Sequence, residues 1–144
     1  MHEQLLADFL GGKAAAAQLG PALLEARLQP DSPNFRTSAN YDVVPLQSTV
    51  AVGPSDIERL IAAVEAGQLS EEQVGIACFL LEGAVQRFRW DTDTADGERV
   101  AQVIFWLGMP AINFPLTPAS LAAMRHYLRT GELTFGVDPR GAGA

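Results

Sequence analysis

The chain has 144 residues, 48% of them apolar and 19% charged, with a net charge of −7. That length and composition suit one self-sufficient core and exclude an intrinsically disordered chain. A lone cysteine, Cys78, excludes an intrachain disulfide framework and points to a reducing compartment.

The charge is unevenly placed. Residues 56–98 hold ten acids and three bases, which accounts for the whole net charge, whereas residues 99–144 hold two acids and four bases. Such a field repels the phosphates of nucleic acid and favours a basic partner. No run of 18 uncharged apolar residues is present, so no membrane span is expected. Met1-His2-Glu3-Gln4 lacks the basic start of a secretory signal, and the expected address is cytoplasmic. Nine of the ten basic residues are arginine, which fits a GC-rich bacterial genome.

Taken in order, residues 1–28 read as two helices. Leu5, Leu6, Phe9 and Leu10 recur at helical spacing before Gly11-Gly12. Residues 14–28 form the second, with a kink or a restart expected at Gly20-Pro21. Residues 29–54 are an irregular excursion broken by Pro30, Pro33, Pro45, Gly53 and Pro54. Within it, residues 41–44 and 48–52 are short extended pieces, compatible with a small hairpin, and Phe35 and Tyr41 are expected to pin the segment to the helices.

Residues 55–131 read as a four-helix core. Ser55-Asp56-Ile57-Glu58 has the pattern of a capping box, and Ile57, Leu60, Ile61 and Val64 follow as one stripe closed by Gly67. Ser70-Glu71-Glu72-Gln73 is a second capping box, with Leu69 and Val74 placed as a hydrophobic staple. The helix it opens is expected to run through Val85 to about Phe88 and to be the most buried. Val100, Val103, Ile104 and Leu107 form the next stripe, stopped by Gly108 and Pro110. Thr117-Pro118 opens the last helix, with Leu121, Met124 and Leu128 on one face and Gly131 as its cap. Residues 132–144 are a Gly/Ala-rich tail. The expected fold is all-α, a single-domain bundle of about six helices with one long irregular segment.

The stretch Trp90-Asp91-Thr92-Asp93-Thr94-Ala95-Asp96-Gly97-Glu98 is the densest cluster of acids. As a calcium loop opening at Asp91 it fails, because Ala95 and Asp96 stand where an oxygen ligand and glycine belong and Gln102 stands at the twelfth place. It reads instead as a helix start, where Asp93, Asp96 and Glu98 favour the positive end of the dipole and cap free N–H groups. Helix capping needs one or two carboxylates, so Asp91, Asp93, Asp96 and Glu98 beside Trp90 leave a surplus. These five are the candidate partner-binding residues.

Other motifs do not assemble. Gly11-Gly12-Lys13-Ala14 lacks the first glycine and the hydroxyl of a phosphate loop. His2 and His126, with the buried-looking Cys78, do not make a zinc site or a catalytic triad. Phe88, Trp90, Phe105, Trp106 and Phe114 read as packing between adjacent helices. No metal or cofactor is expected, and no catalytic residue is assigned.

Two sets of residues carry a resemblance. One is Phe88-Arg89-Trp90-Asp91, Ile104-Phe105-Trp106-Leu107 and residues 110–117. The other is Ala66-Gly67-Gln68-Leu69-Ser70. Together, over residues 55–130, they resemble the small acidic helical immunity proteins of bacterial toxin systems. The resemblance implies a non-catalytic cytosolic protein that neutralises a cognate toxin through an acidic face. The competing expectation is a small-molecule binder or enzyme with a pocket beneath residues 29–54.

Overall fold

A computed structural model describes residues 1–27, 41–84, 87–113 and 115–134. Leu28, Phe35, Val85, Phe114 and the tail from 135 onward lie outside the described residues. Among those described, six helices dominate: α1 (Glu3–Leu10), α2 (Ala16–Ala26), α3 (Pro54–Glu65), α4 (Glu71–Gly83), α5 (Ala95–Gly108) and α6 (Pro118–Thr130). The fold is all-α, apart from two short strands, β1 (Val50–Ala51) and β2 (Phe88–Arg89).

One apolar core draws on every helix. Leu6, Leu19, Leu60, Leu81, Leu107 and Met124 are each fully buried within it. Helix α4 packs on α5 and α2, while α3 packs on α1, α5 and α6. The expected staple closes the start of α4, with Leu69 and Val74 both buried. Ser70 Oγ accepts the Gln73 N–H at 3.1 Å and Gln73 Oε1 accepts the Ser70 N–H at 2.8 Å. Helix α3 ends in a Schellman turn. Gly67 sits at φ +72°, its N–H reaches Val64 O, and the Gln68 N–H reaches Ala63 O.

Four expectations are corrected. The cap of α3 is not Ser55: Pro54 is its first residue, Gly53 its N-cap, and Asp56 Oδ2 accepts the Gly53 N–H at 2.8 Å. Proline at the first helical position needs no N–H there, so the helix begins two residues earlier than the serine pattern implies. Helix α2 does not restart at Gly20-Pro21, since it continues from Ala16 to Ala26 with Pro21 inside it. Leu19 and Leu23, both fully buried, hold the turns on either side, and the proline ring faces solvent. Helix α4 stops at Gly83, and Phe88 belongs to β2. The extended pieces form no hairpin. Val50 pairs instead with Phe88 and Ala51 with Arg89, in parallel register. The crossover between these strands is α3 and α4, which satisfies the long connection that parallel pairing needs. The earlier piece splits its bonds: Tyr41 bridges Arg27 and Val44 bridges His2.

A buried charge ties these pieces together. Glu3 is 1% exposed, and its carboxylate accepts Arg87 Nε at 2.6 Å, Arg87 Nη2 at 3.0 Å and the Leu46 N–H at 2.9 Å. The carboxylate in turn holds the Arg87 guanidinium above its ordinary pKa.

Candidate functional site

The parallel pair β1–β2 sets the position of the acidic turn. Val52 N–H donates to Arg89 O at 2.8 Å, and the chain leaves the strand at Trp90. Trp90 is half-buried against the core. The turn then folds back on itself. Asp91 O accepts both the Thr94 N–H at 3.0 Å and the Thr94 hydroxyl, and Asp91 Oδ1 accepts the Asp93 N–H at 2.9 Å. A Cβ at Gly97 would lie 1.8 Å from Asp91 O, so this fold-back requires glycine there.

The cap of α5 is Thr94, whose Oγ1 accepts the Gly97 N–H at 3.0 Å. This corrects the expectation that carboxylates cap the helix. The hydroxyl does so, and Asp96 and Glu98 remain in the first turn as charges near the dipole. Asp91 is the acid that serves the local structure. Asp93, Asp96 and Glu98 accept no hydrogen bond from a described residue, and all four acids are exposed. No ion pair joins any of them to a described residue.

On the face between α3 and α6, two acids are answered. Glu58 and Glu65 on α3 face Arg125 and Arg129 on α6, with Arg129 Nε at 2.8 Å from Glu58 and Arg125 Nη1 at 2.9 Å from Glu65. The Arg125 hydrogen bonds hold the Glu65 carboxyl below its ordinary value. The acidic turn therefore differs from the α3–α6 face in having no ion pair to a described residue, and it has the highest density of acids.

A surface groove of about 490 Å³ runs between β1 and the turn. Trp90, Asp91 and Asp96 line it, with Thr92 and Arg89, and Ala51 and Val52 form the opposite bank. The structure thus brings three of the five candidate residues around one groove. Asp93 and Glu98 stand exposed on the same turn outside it. Arg89 was not singled out by sequence reasoning, because its place depends on a strand pairing with residues almost 40 positions away.

The other candidates resolve differently. Cys78 is fully buried, and desolvation drives its thiol pKa upward, which keeps it protonated. His126 is half-exposed near the end of α6, with Nε2 at 3.4 Å from Glu132. Trp106 is buried and lies 5.1 Å from the Tyr127 ring, whereas Phe105 is 39% exposed and departs from the expected core role. Tyr41 pins its segment as expected, its ring 4.9 Å from Phe79 on α4. Clefts lie on both sides of that pair, one of about 210 Å³ running to Glu3 and Arg87. Among the described residues no three metal-ligating side chains converge, and no helix is long and apolar enough to cross a membrane. No protein-family model, curated protein or solved structure matches the chain.

Proposed function

We propose that the chain is a non-catalytic binding protein whose acidic turn, residues 90–98, receives a basic protein partner. The observation that carries this reading is the contrast in pairing. Glu58 and Glu65 of α3 are neutralised by α6, while Asp91, Asp93, Asp96 and Glu98 form no ion pair with a described residue, and two of them, Asp91 and Asp96, line a groove with the half-buried Trp90. Unneutralised like charge costs stability through repulsion, and a cationic partner removes that cost. A half-buried tryptophan beside it supplies an amphipathic anchor of the kind that dominates protein interfaces. Together with the resemblance above, these features support an immunity protein acting on a bacterial toxin in the cytoplasm.

The pocket reading has a specific cleft in its favour, the one bounded by Tyr41, Val43, Glu3 and Arg87. Its two charged groups satisfy each other, however, so it offers no free set of polar groups to a ligand. The partner reading is preferred on that ground.

The test co-expresses the chain with the proteins encoded beside its gene and scores toxicity and rescue. Asp93→Asn with Asp96→Asn spares Asp91, which holds the turn, and Thr94, which caps the helix. The double variant is expected to keep its unfolding midpoint and to bind the rescued toxin several-fold more slowly, with an association rate that falls as salt rises. Rescue and association unchanged by the double variant would overturn the reading.

A further inference from the structure

Helix α4 carries a second unusual face, near the opposite end of α5. Glu71, Gly75, Phe79 and Glu82 follow one another at spacings of four, four and three, which places them on one side of the helix. Their span is about 16 Å at the helical rise of 1.5 Å per residue. The middle of this stripe is open and its two ends are acidic.

The opening has a structural cause. Gly75 faces Gly108 of α5, and a Cβ built on Gly75 would meet only Gly108 O, at 3.8 Å. A Cβ on Gly108 would come within 2.9 Å of Cys78 Cβ, so the helices cross closely there. Backbone therefore floors the crossing where side chains would otherwise fill it. The result is a groove of about 340 Å³, within the range of sites that seat side chains or small ligands. Ile76 and Met109 continue the floor, with Met109 42% and Phe79 49% exposed. The Phe79 ring packs against Tyr41 in a tilted pair.

The rim is electrostatically incomplete. Glu72 pairs with Arg27, but Glu71 and Glu82 form no ion pair with a described residue. Desolvation by the surrounding groups raises the Glu82 carboxyl, a burden that a nearby cation would relieve.

We propose that this groove docks a basic amphipathic helix of a partner protein, with one apolar side chain seated between Gly75, Phe79 and Met109 and a lysine or arginine on each side, over Glu71 and Glu82. Helix-in-groove recognition uses this arrangement of a central anchor and flanking charges. A second copy of this chain is a poor occupant, because it would set acid against acid and its Arg125 and Arg129 are held by α3. The groove shares no residue with the acidic turn, so the two proposals stand or fall separately.

The experiment uses a fluorescein-labelled alanine–lysine peptide about 16 Å long when helical, with a leucine anchor at its centre and lysines toward each end. The full chain is titrated against it by fluorescence anisotropy at low and at raised salt. Saturable binding that weakens with salt is expected. Phe79→Ser, and separately Glu71→Gln with Glu82→Gln, should each weaken it about five- to tenfold while the circular dichroism spectrum stays unchanged. A peptide with serine in place of the anchor should lose most of its affinity, and Asp93→Asn with Asp96→Asn should leave binding unchanged. Absence of saturation, equal binding by the serine peptide, insensitivity to both sets of groove variants, or loss in the Asp93/Asp96 variant would each overturn the proposal.

Discussion

Glu3 shows how a single residue can be decisive in the fold and silent in the sequence. It reads as one of several acids near a chain start, yet its partners lie 43 and 84 residues away, at Leu46 and Arg87. No local pattern encodes such a pairing. By contrast, Ser70 and Gln73 were legible because both halves of their reciprocal bond lie within one helical turn. Gly97 falls between these cases: its glycine was visible, but the reason for it is the backbone of Asp91 pressed against it. The buried pair gives a direct test. Arg87→Ala leaves a carboxylate that is 1% exposed with only a backbone N–H to answer it. Breaking a buried pair from one side costs about 3–5 kcal/mol. Because the Arg87 side chain is 34% exposed, the loss should fall near the lower end. Urea unfolding should show Arg87→Lys losing less, since the charge remains while the two-pronged geometry goes. A loss under about 1 kcal/mol for Arg87→Ala would mean that water already screens the pair.

At the scale of elements, periodicity found the cores of the helices and misplaced some ends. The stripes of α5 and α6 are buried as their spacing predicts, and that of α3 is buried through Ile61 with Val64 half-buried at its end, because one face of each helix meets the others. The apolar spacing marks α4 as central, and five of its six buried residues lie between Ile76 and Leu81, with Val74 the sixth. Its end was missed because Phe88 is buried whether it continues a helix or enters a strand, so apolar spacing does not separate the two. Strands of two residues carry too little pattern to be read, and their pairing is set by α3 and α4 between them. The acidic turn was located correctly, but its cap was assigned to carboxylates when Thr94 supplies the oxygen. Leu81 tests the centrality of α4. It is fully buried among the core side chains, and Leu81→Ala is expected to cost about 2–5 kcal/mol, with the spread set by how far neighbours relax into the space. A loss below about 1 kcal/mol in urea unfolding would show that the helix is peripheral to the cooperative unit.

For the whole molecule, the distribution of charge matters more than its sum. The net charge of −7 divides into acids that hold the fold and acids that hold nothing described. Sequence counts located the negative field but not this division, since pairing depends on α3 lying beside α6. Two glutamates make the division measurable through pH. Hydrogen bonds from Arg125 lower the folded pKa of Glu65 below the ordinary 4.5. Its contribution is therefore fully present above pH 4.5 and is lost as pH falls through the lower folded value. Desolvation raises the folded pKa of Glu82 above 4.5, so the sign reverses. The folded state then binds the proton more tightly, and stability declines as pH rises from 4.5 through the folded value. Glu65→Gln should thus be less stable than the parent chain at neutral pH, with the difference shrinking only below 4.5. Glu82→Gln should be more stable at neutral pH, with its difference shrinking as pH falls toward 4.5 from above. Urea midpoints between about pH 3 and 7 separate the two windows, one below and one above the ordinary carboxyl value. Parallel pH curves for both variants and the parent would show that neither carboxylate differs between the folded and unfolded chain, and the contrast between the α3–α6 face and the α4 groove would lose its electrostatic basis.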